Sequence, residues 1–151
     1  ILATLLRVLF SHIFEVFIFF LIALFFDIAL VGILFYPLLL AVFILFIYGI
    51  ALFISAVSVF FMDLENIWGA FMQALWFATP IFYAIGDNRW HQFFNDMNPM
   101  SYIITIARKL VIEGAFPDNS TLLGVVIISI LSYGIGEFTF RKLSPSFAEK
   151  F

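Results

Sequence analysis

From Pro37 to Met62 the chain carries no charged residue. A helix needs about 20 mostly apolar residues to cross a bilayer. Inside hydrocarbon every backbone N–H and C=O must be satisfied within the protein, which helices do on their own. This run therefore reads as a transmembrane helix. Pro37 suits its first turn, where a missing N–H costs little. Composition extends the reading to the whole chain: of 151 residues, 65% are hydrophobic and 11% charged, with a mean hydropathy of +1.17. A soluble domain is roughly 45–50% apolar and about 25% charged, so a soluble fold of this sequence lacks the polar residues to cover itself. The expected fold class is an all-α polytopic membrane protein, a single transmembrane domain over residues 1–151.

About four spans are expected by length and apolarity: residues 13–34, 37–62, 67–86 and 120–140. Residues 87–118 are too polar to cross and too apolar for a plain loop. There, Asn98-Pro99 reads as an N-cap followed by proline at the first helical position. Ile103, Ile104, Ala107, Leu110 and Val111 then share one helical face, and Gly114 and Pro117 close the helix. This segment is expected to form short re-entrant helices on the outer face, buried against protein. Arg7, Arg141, Lys142 and Lys150 fall on one side; Arg89, Arg108 and Lys109 fall on the other. The positive-inside rule favours cytoplasmic ends, with residues 141–151 as a cytoplasmic tail. Asp63-Leu64-Glu65-Asn66 then forms a cytoplasmic turn, with Tyr36, Tyr83 and Trp90 at the outer interface.

Several function classes fall away. A net charge of −3 argues against nucleic acid. The absence of cysteine removes disulfide and thiol chemistry. No phosphate loop of the Gly-x-x-x-x-Gly-Lys-[Ser/Thr] type is present, so this chain does not bind ATP in that way. No signal peptide precedes the first apolar run, and the Ile-Leu-Ala start reads as a chain cut ahead of Ile1.

The polar residues that remain each carry two readings. His12 and Glu15, three apart on one helix face, are an interfacial pair or two ligands of a metal site with no third. Asp27 belongs at an interface or faces a transport path. Gly49, Ser55, Ala56 and Ser58 serve helix packing within the chain or a dimer face. Trp68, Phe71, Trp76, Phe77, Phe82 and Tyr83 face lipid and neighbouring helices, or line a path on which sugar rings stack. Pro80 kinks or ends its helix.

Taken in order, these features resemble the polysaccharide and polyol-phosphate branch of type-2 ABC exporter permeases, which moves O-antigen, capsule or teichoic acid. The resemblance covers nearly the whole chain, to the C-terminal part of the family's pattern. It rests on "SHIFE" (Ser11–Glu15), "GIALFISAVSVFFMDLENI" (Gly49–Ile67), "QALWFATPIFY" (Gln73–Tyr83), "NPMSYIITIARKLVIEGAFP" (Asn98–Pro117) and "FRKLSPSFAEKF" (Phe140–Phe151). The family usually has Arg-Asp where Met62-Asp63 stands here, and Ser-Pro where Thr79-Pro80 stands. Its first two spans, its interface helix and its coupling helix would lie before Ile1.

The resemblance implies a permease subunit in the cytoplasmic membrane of a prokaryote. It would be not an enzyme by itself and without a cofactor or metal of its own. Its partners would be a second permease copy, a separate P-loop ATPase that holds ATP and Mg, and a lipid-linked glycan among the membrane lipids. Tyr36, Trp76, Phe77, Phe82 and Tyr83 would line the path. Asn98, Pro99 and Arg108 would shape an outer gate, with Arg108 placed to meet a lipid diphosphate or an acidic partner. Asp63 and Glu65 would face the ATPase side. The alternatives are a drug or small-lipid exporter of the same superfamily, a channel or scaffold without an ATPase, and an intramembrane enzyme.

Overall fold

The computed structural model describes residues 1–26, 30–81 and 89–149. Six α-helices follow one another: α1 (Leu2–Phe25), α2 (Tyr36–Ser58), α3 (Leu64–Ala78), α4 (Arg89–Met97), α5 (Pro99–Val111) and α6 (Asn119–Leu143). Two 3₁₀ segments, Leu30–Leu34 and Ser144–Glu149, complete the described chain, and no strand occurs among the described residues. Among them, three segments are long and apolar enough to cross a membrane: Leu2–Phe25, Gly32–Ser58 and Asn119–Phe147.

The core is built on α2 and α6, which run parallel and side by side. Leu39 of α2 and Val125 of α6 are buried in one cluster. Further along, the Ser132 hydroxyl donates to the Phe46 carbonyl at 2.9 Å. The rings of Tyr48 and Tyr133 stack with centroids 6.1 Å apart. Between these contacts Gly49 meets Ser132 and Gly136. A Cβ on Gly49 would overlap the Ser132 backbone, and one on Gly136 would overlap Gly49 itself. Small residues here permit backbone-to-backbone approach, which drives helix association where lipid is as apolar as leucine. Gly49 thus serves packing within the chain.

Helix α5 lies against this pair and runs opposite to α2. Its C-terminal end, at Leu110, joins Leu39, while Met100 near its start packs on the same cluster as Phe46. The buried residues are Ser101, Ile103, Ile106 and Leu110. Ile106, fully buried, lies outside the face expected from the sequence. Ile104, Ala107 and Val111 of that expected face are only half-buried. Both ends of α5 form as their residues dictate. Asn98 caps the start by accepting from the Met100 N–H at 3.0 Å, with Pro99 in the first turn. The chain leaves through Gly114, whose φ of 61° suits glycine. This turn lets the Ala115 N–H reach the Lys109 carbonyl at 3.0 Å.

The helix bounds differ from the expected spans, most of all at α1 and α3. The first was expected over residues 13–34, but α1 begins at Leu2 and stops at Phe25. Arg7 and Glu15 are two charges in a largely apolar run and do not interrupt the helix. Past the break, Leu30–Leu34 forms a separate 3₁₀ turn seated on α5, where a Cβ on Gly32 would overlap the Leu110 carbonyl. Asp27 lies outside the described residues.

The third span was expected over residues 67–86. Helix α3 has 15 residues, about 22 Å at 1.5 Å per residue, against roughly 30 Å of hydrocarbon. It stops because Pro80 excludes residue 79 from the helical region: Thr79 is extended, with φ −95° and ψ 123°. Pro80 therefore ends this helix rather than kinking it. At the other end Asp63 takes the N-cap position and Glu65 the first turn, where the helix dipole favours negative charge. Helix α2 stops at Ser58 instead of Met62, because the chain already turns there toward Asp63 through the Phe60 and Leu64 N–H bonds to Val57 and Phe61. Residues Arg141–Leu143, expected in the tail, continue α6.

Candidate functional site: a buried polar joint beside an apolar cleft

The end of α3 and the start of α5 meet at a small polar joint. Asn98 and Thr79 are each only 5% exposed. The Asn98 oxygen must face the Met100 N–H that it caps, which fixes the amide. Its Nδ2 then donates to the Thr79 hydroxyl at 2.9 Å and reaches toward the Ala78 carbonyl at 3.5 Å. The Thr79 hydroxyl in turn donates to the Leu75 carbonyl at 2.7 Å. Thr79 is extended ahead of Pro80, so its hydroxyl folds back on the last turn of α3 while still accepting from α5. Every polar group is engaged, and a satisfied buried network favours one arrangement. Of the three expected gate residues, Asn98 and Pro99 are at this joint; Arg108 is not.

Two open clefts flank α5. One, of about 420 Å³, lies between α2, α3 and the start of α5. Trp68, Phe71 and Trp76 face Phe46 and Ile50 across it, with Pro99 at its edge. The other, of about 390 Å³, lies between α1, the Leu30–Leu34 turn and the end of α5, and includes Tyr36 and Arg108. Ile104 borders both, so α5 is the partition between them. The expected path residues are thus divided: Tyr36 belongs to one cleft and Trp76 to the other. Phe77 is exposed on α3 and borders neither. Phe82 and Tyr83 lie outside the described residues. Asp63 and Glu65 are exposed at the opposite end of α3.

Tyr36 has a partner that the sequence did not announce. His12 places Nε2 2.8 Å from the Tyr36 hydroxyl and Nδ1 2.9 Å from Glu15. In the neutral Nδ1–H tautomer of His12, Nδ1 donates to Glu15 and Nε2 accepts from the phenol. The His12–Glu15 spacing thus gives a hydrogen-bonded pair on α1 that is tied to α2 through Tyr36. Among the described residues no three His, Cys, Asp or Glu side chains converge as a metal site would require. Thr79 was visible only as a departure from Ser-Pro. Its hydroxyl, which serine also carries, is the shared feature that does the bonding.

A model of the ABC-2 type transporter family matches residues 1–112. The chain belongs to the ABC-2 type transporter family. Within it, the chain is 26% identical over 99 residues to the O-antigen export system permease protein RfbA of Myxococcus xanthus, covering 64% of this chain and 38% of that protein. It therefore spans well under half of that relative's length. No solved structure matches the chain. Family and long apolar helices together make this a multi-pass membrane protein of the transporter-permease type, related to the O-antigen branch.

Proposed function

We propose that this ABC-2 type chain is part of the permease of an ATP-driven exporter that moves lipid-linked polysaccharide of the O-antigen, capsule or teichoic-acid type across the cytoplasmic membrane of a prokaryote. The observation that carries the reading is the likeness to an O-antigen export permease. Two permease copies would enclose the path, and a separate P-loop ATPase with ATP and Mg would supply energy at the Asp63–Glu65 face. On this reading α3 starts at the cytoplasmic face and ends part-way across the membrane, where the Thr79–Asn98 joint hands its movement to α5. The α4–α5 pair then acts as a re-entrant outer gate. Trp76 supports a path role, because it offers an aromatic face to a cleft bordered by that joint.

The test is export in cells. Cells lacking the protein should accumulate lipid-linked polymer on the inner side, and a tagged copy should bring down a P-loop ATPase. Trp76→Ala should lower export severalfold with normal membrane insertion; unchanged export would remove Trp76 from the path. A second reading draws on the nearly wholly apolar lining of the cleft between α2 and α3, which also suits a drug or small lipid. Under that reading, depleted cells change their drug sensitivity without accumulating polymer.

A further inference from the structure

Helix α1 stands away from the rest of the molecule. Of its 24 residues only Ala23 is buried, and a side-chain hydrogen bond, His12 to Tyr36, ties it to α2. The open cleft of about 390 Å³ between α1 and the end of α5 is the space this leaves. Phe19, Ile33 and Ile104 give it apolar walls, yet two opposite charges open into it: Glu15 from α1 and Arg108 from α5. Both are exposed, Glu15 with 68% of its side chain accessible, so a ligand in the cleft can reach them. The two do not pair with each other. Among the described residues Arg108 makes no ion pair, and its side chain makes no hydrogen bond. Glu15 gives Oε2 to His12 and keeps Oε1 open. Charges in membrane segments are costly and are nearly always paired or turned to a cavity. A cation and an anion that share one apolar cleft without meeting call for a ligand that carries both signs and an apolar tail.

We infer that this cleft binds a zwitterionic phospholipid with a primary ammonium, of the phosphatidylethanolamine type. Its phosphate lies on Arg108, its ammonium on Glu15, and the start of one acyl chain against Phe19, Ile33 and Ile104. The inference does not depend on which compound is exported. The guanidinium presents a planar fork of donors that matches phosphate. A primary ammonium has N–H donors to give, and Glu15 Oε1 is the open acceptor. A choline headgroup carries the same charge but has no N–H. A glycerol headgroup brings no cation, so the phosphate charge stands uncompensated beside Glu15. The volume is at the low end of ligand pockets, about 300–1,000 Å³, so the cleft takes the headgroup and the start of a chain while the remainder stays in the bilayer. The bound lipid bridges α1 to α5, which helix packing leaves apart.

Native mass spectrometry of the purified protein tests this, by titration with dioleoyl lipids that carry ethanolamine, choline or glycerol headgroups. The ethanolamine lipid should bind about fivefold more tightly than either of the others, the scale of one exposed ion pair. Glu15→Gln keeps an oxygen for His12 and removes the charge. It should bring the ethanolamine lipid down to the level of the choline lipid and leave the choline lipid unchanged. Arg108→Gln should weaken both by about fivefold or more, through loss of the phosphate contact. The headgroup comparison needs no variant, so it decides the matter even where a variant fails to fold. Equal binding of the three lipids, tighter binding of the glycerol lipid, or an ethanolamine preference that survives Glu15→Gln would each overturn the inference.

Discussion

The α2–α6 pair and helix α3 are held in opposite ways. The pair is joined along its length: glycines bring the backbones together, Ser132 bonds across the gap, and Leu39, Phe46 and Val125 are buried. Helix α3 buries none of its residues and faces α2 across an open cleft. At its end it is fastened to α5 by the Thr79–Asn98 joint. Tight backbone packing makes an element that resists change. A short helix held at a polar joint can swing while keeping its grip on its neighbour. The contrast assigns the frame to α2 and α6, with α5 packed on it through Ile103, Ile106 and Leu110, and leaves α3 as the loosely held helix.

Breaking the frame should have the largest effect. Gly49→Val or Gly136→Val forces side-chain atoms into backbone, and overpacking costs about 1–3 kcal/mol or more. Such variants should lose thermal stability in detergent or fail to accumulate. Breaking the joint should come next. Asn98→Ala removes a helix cap and leaves the Thr79 hydroxyl short of a donor, at about 2 kcal/mol together. Thr79→Ser keeps the hydroxyl and should stay within about 1 kcal/mol of the parent. The smallest effect belongs to Ser132→Ala. It removes one interhelical hydrogen bond, worth about 0.6 kcal/mol in membrane bundles, while the glycine contact persists. If Ser132→Ala proved as damaging as Gly49→Val, the pair would be held by polar bonding instead of close approach.

Local chemistry made much of this fold legible. Pro37 marks the start of α2, Asn98-Pro99 the start of α5, Gly114 its exit, and Asp63 and Glu65 the start of α3. Each works through its own backbone neighbourhood, so a sequence states it directly. Helix ends set by long-range packing were not legible. Apolar residues continue through the sequence after Phe25, yet α1 ends there and Leu30–Leu34 forms a 3₁₀ turn with Gly32 against Leu110. The apolar run likewise continues past Ala78, and only the constraint of Pro80 on Thr79 stops α3. At the candidate site, Asn98 was visible as a cap, but its second bond was not. Thr79 is 19 positions away, and no periodicity links them. The same holds for Tyr36 and His12, 24 positions apart. Ser101 gave no sign of its unpaired hydroxyl, because a serine in a first helical turn ordinarily bonds to nearby backbone or to water.

The central claim is that α3 and α5 are coupled through one hydrogen-bonded joint. A double-mutant cycle on thermal stability tests it most directly, using Thr79→Val, Asn98→Ala and the pair together. Directly bonded residues show interaction energies of about 0.5–3 kcal/mol. The two single losses should therefore overlap, with the double variant less damaged than their sum by about 1 kcal/mol or more. Strictly additive losses would contradict the joint between α3 and α5.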